Sequence, residues 1–107
     1  TGIFSMYSAP ADLTGYQHGI LQYSFLFNTN NPNAIFRVVY SLDNFLTFFP
    51  LIEYDRNTSG RLLQYIPADI LAGIGNSVRI GFLVDIPSAG SSSSTQLEID
   101  DVSLYVW

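Results

Sequence analysis

Two adjacent carboxylates, Asp100 and Asp101, interrupt an otherwise apolar run, Leu97-Glu98-Ile99-Asp100-Asp101-Val102-Ser103-Leu104. Hard cations such as calcium take carboxylate and carbonyl oxygens, so this pair could hold one where it meets backbone carbonyls of an early strand. The same carboxylates could instead accept backbone N–H bonds or pair with Arg37 or Arg79, because a charge left unpaired inside a strand is costly. Glycoside hydrolysis needs two carboxyl groups flanking one bond, about 5–10 Å apart. Neighbours along a strand point to opposite faces and cannot do this. Asp43-Asn44 and Asp55-Arg56-Asn57 are also oxygen-rich but read as turn formers. No EF-hand spacing is present.

His18 is the single histidine of the chain. A multi-histidine metal site is thereby excluded, and any Ser-His-Asp triad would hang on one loop residue. Beside Gly15, Tyr16 and Gly19, His18 reads as an exposed turn residue. The chain is therefore expected to be no enzyme.

Aromatic side chains are the remaining signal: eight Phe, seven Tyr and one Trp in 107 residues. Most must be core in a domain of this size. Tyr16, Phe45, Tyr54, Tyr65, Tyr105 and Trp107 fall outside the regular inward-facing sets. They are candidate ligand-binding residues, since exposed rings stack on the apolar faces of sugars while nearby amides and carboxylates bond the hydroxyls. Asn57-Thr58-Ser59 matches the three-residue glycosylation sequon, which has meaning only in a eukaryotic secretory host.

The elements that must position these residues follow from period-two alternation. Leu21, Tyr23, Phe25 and Phe27 share one face of a strand, as do Phe36, Val38 and Tyr40 of a second. In a third, Val78, Ile80, Phe82, Val84 and Ile86 point inward while Arg79, Gly81, Leu83 and Asp85 face the other way. Weaker strands are expected at Ile3 to Tyr7, Phe45 to Tyr54, Arg61 to Ile66 and Gln96 to Trp107. Asn28 to Asn33 reads as a turn joining two antiparallel neighbours, and Pro87 to Ser94 as a flexible, poorly ordered loop. Pro67 to Gly73 is the one helix-like piece, a single turn at most. In the last strand Leu97 and Ile99 fall out of phase with Leu104 and Val106; a bulge around Asp100-Asp101 would return them to one buried face.

Six to eight short strands without a lasting helix predict one all-β domain over residues 1–107, an antiparallel β-sandwich of jelly-roll, galactose-binding-like type. Charged residues are only 12% of the chain and lysine is absent; four arginines stand against nine acids for a net charge of -5. That field repels a phosphate backbone, so nucleic acid is a poor partner. No apolar run reaches the ~18–20 residues that span a bilayer. Cysteine is absent, so neither disulfides nor thiolate metal sites hold the fold. A surface made polar by Ser, Thr, Asn, Gln and Tyr leans toward an extracellular or cell-surface setting, and the chain reads as a mature module that a longer protein could carry.

The closing strand Leu97 to Leu104, with its Ile-Asp-Asp-Val-Ser-Leu core, resembles the terminal strand of jelly-roll carbohydrate-binding modules, of MAM-type adhesion domains and of some bacterial surface proteins. The order upstream is similar as well: a strand Leu21 to Phe27, a strand Phe36 to Asn44, a Pro67-Ala68-Asp69-Ile70-Leu71 turn, then Val78 to Ile86 and a polar loop. The resemblance spans Gly19 to Leu104. It implies a non-catalytic carbohydrate-binding domain, and a structural calcium ion held by Asp100 first and Asp101 second. The family's acidic partner near the first strand has no match in Thr1 to Ala11; Asp12 is the nearest acid. A shortened beginning raises the alternative of a structural or adhesive surface or filament subunit, whose open sheet edge pairs with another protein or with its own copy.

Overall fold

The computed structural model describes residues 2–58, 60–86 and 94–107, with 2–7 as backbone alone. Among these residues run seven strands: β1 (Gly2–Tyr7), β2 (Gly19–Thr29), β3 (Ile35–Ser41), β4 (Phe49–Tyr54), β5 (Leu62–Pro67), β6 (Arg79–Ile86) and β7 (Thr95–Val106). A 3-10 turn covers Asp69–Leu71, as the Pro67 to Gly73 pattern predicts. The strands make two antiparallel sheets, ordered β1-β6-β3-β4 and β5-β2-β7. The fold is an all-β sandwich. Among the described strands only β3 and β4 are consecutive and paired; every other connection carries the chain to the opposite sheet.

The alternating residues of β2 explain the packing. Leu21, Tyr23, Phe25 and Phe27 are fully buried, as are Phe36 and Val38 of β3. Ring centroids of Phe25 and Phe36 lie 5.4 Å apart, those of Tyr23 and Phe82 5.5 Å, and those of Phe25 and Tyr54 4.6 Å. Fully burying such a side chain contributes about 1.5–3 kcal/mol, and a well-placed ring pair about 0.5–1.5 kcal/mol more. Tyr23 and Tyr54 also join the sheets by their hydroxyls, 2.5 Å apart. Burial pushes the Tyr23 phenol well above the ordinary tyrosine range, with the bond to Tyr54 adding to it. Tyr54 is raised as well, chiefly by burial.

The break in pattern along β7 is a bulge. Gln22 faces Ser103 and Ser24 faces Asp100, so the single residue Tyr23 is opposed by Asp101 and Val102. Asp101 takes a left-handed φ of 54°. The inserted residue puts Leu97, Ile99, Leu104 and Val106 together against the core.

Three expectations need correction. The fourth strand begins at Phe49 rather than Phe45, because side chains close a turn first. The Ser41 hydroxyl accepts the Phe45 N–H and donates to the Thr47 carbonyl, while Asp43 accepts the Thr47 N–H. Asn44 and Phe45 take left-handed angles of 59° and 64°. The hydroxyl and N–H of Thr47, then the Ser41 hydroxyl, hold the Asp43 carboxyl below the usual carboxylate range. Second, Asn28 to Asn33 does not join antiparallel neighbours: β2 and β3 lie in different sheets, and the turn crosses between them. Its kink is built by Asn31, whose Oδ1 accepts the Asn33 N–H. Third, neither Arg37 nor Arg79 reaches the Asp100-Asp101 pair. Arg37 bonds Glu53 and Asp85 on the four-stranded sheet, and Arg79 donates to the Ser8 carbonyl. The expected flexible loop from Pro87 lies outside the described residues, apart from Ser94.

Candidate functional site

The outward faces of the two sheets differ. On the four-stranded sheet, Val39, Gly81 and Leu83 point away from the core yet are buried. Phe45 contributes to this cover. A Cβ added to Gly81 would sit 2.8 Å from the Phe45 ring and 3.1 Å from Val39 Cγ2. Glycine at this position lets the ring lie against the strand.

The three-stranded sheet leaves its outward face open. The pairing of β5 and β7 with β2 lays out its rows: Pro67, Ile20 and Tyr105 in one; Tyr65, Gln22 and Ser103 in the next; Leu63, Ser24 and Asp100 in a third. Tyr65 is 57% exposed, Tyr105 53%, Trp107 58% and Leu63 54%. With neighbouring strands about 4.8 Å apart, β5 and β7 lie roughly 10 Å apart across β2, and the two tyrosines stand on them one row apart. Beyond these rows Arg61 reaches Glu98 at 2.8 Å.

At the β2 start the face deepens into a hollow of about 340 Å³ lined by His18, Ile20, Tyr65, Pro67, Asp69 and Trp107, among others. Backbone pairing continues one step past the strands to build it. The Gln17 and His18 N–H groups both donate to the Trp107 carbonyl, and the Trp107 N–H donates back to His18. The His18 ring then stacks on the indole, centroids 5.5 Å apart and planes 27° from parallel. Asp69 Oδ1 accepts the Gly19 N–H at 3.0 Å and lies 3.7 Å from His18 Nδ1. Gly19 is required here, since an added Cβ would sit 2.7 Å from the Ala68 carbonyl oxygen. A hollow so built joins ring faces to one imidazole and one carboxylate. None of its described lining residues carries an aliphatic hydroxyl or a thiol.

Of the six ring candidates, the structure gathers Tyr65, Tyr105 and Trp107 on this face. Tyr16 is exposed in the β1–β2 connection at the same end, its carbonyl close to Gly73, but does not line the hollow. Phe45 belongs to the cover of the other sheet. Tyr54 packs in the core on Phe25 and Phe36. His18 is exposed, as a turn residue would be, yet its stacking and its place beside Asp69 escape a reading by segments. Its partner lies 51 residues away (69 − 18). Alternation in β2 was the available signal: with Leu21 inward, Ile20 and His18 must share the outer face.

Asp100 and Asp101 are both exposed at the bulge. Asp100 Oδ1 accepts the Asp101 N–H at 2.9 Å, so one carboxylate caps the irregular backbone beside it. Among the described residues no three His, Cys, Asp or Glu side chains converge as a metal centre would require, and no helix is long and apolar enough to cross a membrane. No family model matches the chain, and no curated protein matches it.

Proposed function

We propose that this chain is a non-catalytic carbohydrate-binding module of an extracellular or cell-surface protein, and that it binds through the outer face of β5-β2-β7. The observation that supports this most is the gathering of Tyr65, Tyr105 and Trp107 on one open face, with His18 and Asp69 at its edge. Exposed rings offer π faces to sugar C–H groups. Gln22, Ser103, Asp69 and His18 supply donors and acceptors for hydroxyls at the rim.

Trp107 is the only tryptophan, so its fluorescence reports on this site alone. Titration with soluble neutral oligosaccharides is expected to change the emission saturably. Tyr65→Ala should weaken that binding at least tenfold while leaving the fold intact. A flat response across a broad panel of glycans, at millimolar concentration, would sink the reading.

A second reading rests on β7. Among the described residues this strand, Thr95–Val106, is the longest and pairs on one side only, with β2. The strand itself carries the exposed apolar Val102, and Leu63 is exposed on β5 across β2. An open edge next to an apolar face suits a structural or adhesive subunit that pairs with another protein or with its own copy. Sedimentation velocity separates the two readings: a monomer over a wide concentration range favours sugar binding, and self-association without sugar favours assembly.

A further inference from the structure

We infer that the opposite end of the same sheet carries a second, ring-free site, an amide-lined groove for a neutral, hydroxyl-rich ligand such as a glycan terminus. β2 runs from Gly19 to Thr29, so this end lies roughly 34 Å from the His18–Trp107 hollow at about 3.4 Å per residue. Two hollows meet there, of about 350 and 310 Å³, and share Thr29 and Asn30. Thr29 and Asn30 stand between them, one hollow lying against β7 and the other against the β4–β5 connection.

Hydrogen bonds of the groove's own frame orient its amides. Asn57 Oδ1 accepts the Thr29 N–H at 2.8 Å, Asn30 Oδ1 accepts the Ser94 N–H at 2.8 Å, and Gln96 Nε2 donates to Glu98 at 2.6 Å. The Thr29 and Thr95 hydroxyls meet at 2.7 Å beneath them. Each amide has two ends of opposite character. With its oxygen committed, Asn57 presents its NH2 group as a donor; with its nitrogen committed, Gln96 presents its carbonyl as an acceptor.

A fixed donor in one hollow and a fixed acceptor in its neighbour match a ligand with several hydroxyl groups, each of which both donates and accepts. A ligand of single charge is matched poorly. Arg56 is the cation of the lining, and Asp55 stands 3.9 Å from it. Among the described residues no aromatic side chain lines either hollow, so recognition there is by hydrogen bonds and not by stacking. Sites whose amides are held in place before binding lose less freedom when the ligand arrives.

The test uses the uniformly 15N-labelled chain and two neutral hexasaccharides, cellohexaose and maltohexaose. With at least one of them, the side-chain NH2 resonances of Asn28, Asn57 and Gln96 are expected to shift saturably. They should still shift in the Tyr65→Ala/Trp107→Ala double variant, which strips two of the three rings from the aromatic face. Asn57→Ala should weaken the effect tenfold or more. If that variant loses its folded spectrum, Gln96→Ala serves in its place, since among the described residues the Gln96 side chain bonds the exposed Glu98 alone. The proposal is overturned if neither sugar moves these resonances, or if their response disappears with Tyr65 and Trp107. A response at the amides with none at the Trp107 indole N–H would instead sustain this groove and defeat the aromatic face.

Discussion

The hydroxyl of Tyr23 on β2 meets that of Tyr54 on β4 at 2.5 Å, a polar link inside an aromatic core that joins the two sheets. The partners are unequal, because Tyr23 is wholly buried and Tyr54 is half-buried. Tyr54→Phe strands the Tyr23 hydroxyl away from water and should cost about 1–3 kcal/mol. Tyr23→Phe leaves a hydroxyl that solvent can reach, and should cost less. The double Phe variant should be more stable than Tyr54→Phe alone, since removing both partners of a buried bond is nearly neutral. Urea denaturation of the four proteins as a cycle measures the coupling; simple additivity would mean that the hydroxyls do not act together.

The same pair predicts sensitivity to alkali. Both phenols have folded-state pKa values raised above 10.0, mainly by burial. The neutral form is favoured in the fold, so this contribution is fully present below pH 10 and is lost as pH rises through the folded values. Stability should hold through the mildly alkaline range and then fall, with tyrosinate absorbance at Tyr23 and Tyr54 appearing together with unfolding. Ionisation of both in a still-folded chain would contradict the burial argument.

Two glycines separate the cost of meeting backbone from that of meeting a movable ring. At Gly19 an added methyl meets the Ala68 carbonyl at 2.7 Å, while at Gly81 it meets the Phe45 ring at 2.8 Å. Overpacking costs about 1–3 kcal/mol. Gly19→Ala should lie at the upper end of that range, and should also disturb the Asp69 bond that shapes the hollow. Gly81→Ala should cost less, and Phe45→Ala should rescue it in part. Thermal denaturation of the three variants and the Gly81→Ala/Phe45→Ala pair decides the matter; equal penalties at the two glycines would count against the account.

Alternation made β2, β3 and β6 legible because each buries one face completely, so every second residue must be apolar. β4 was legible only from its end. The apolar run from Phe45 looks continuous, and its first residues are diverted by hydrogen bonds from Ser41 and Asp43 that no hydrophobic pattern encodes. The bulge at Asp101 was legible because the phase of the apolar residues breaks there. For the site, Tyr65, Tyr105 and Trp107 stood out as rings outside the inward sets. Their gathering depends on β5 and β7 both pairing with β2, a long-range choice that local spacing does not reveal. The same holds for His18 and Asp69, and for the neighbouring hollows lined by Asn57 and by Gln96.

Asp101 carries the last prediction, because it takes a left-handed backbone angle within an edge strand. Such a conformation is strained for most residues and is tolerated best by glycine and by Asn or Asp. Asp101→Gly should therefore keep the fold and its stability within about 1 kcal/mol, whereas Asp101→Val should cost about 1–3 kcal/mol. Asp100→Ala removes the acceptor of the Asp101 N–H and should cost about 1 kcal/mol. These values hold equally with calcium or chelator if the carboxylates serve only the bulge. A structural calcium ion held by Asp100 and Asp101 would show itself differently: calcium would raise the melting temperature of the wild type, and both Asp101→Gly and Asp100→Ala would abolish the rise. Thermal melts of the three proteins in calcium and in chelator distinguish a bulge that needs its aspartates for backbone geometry from one that needs them for an ion.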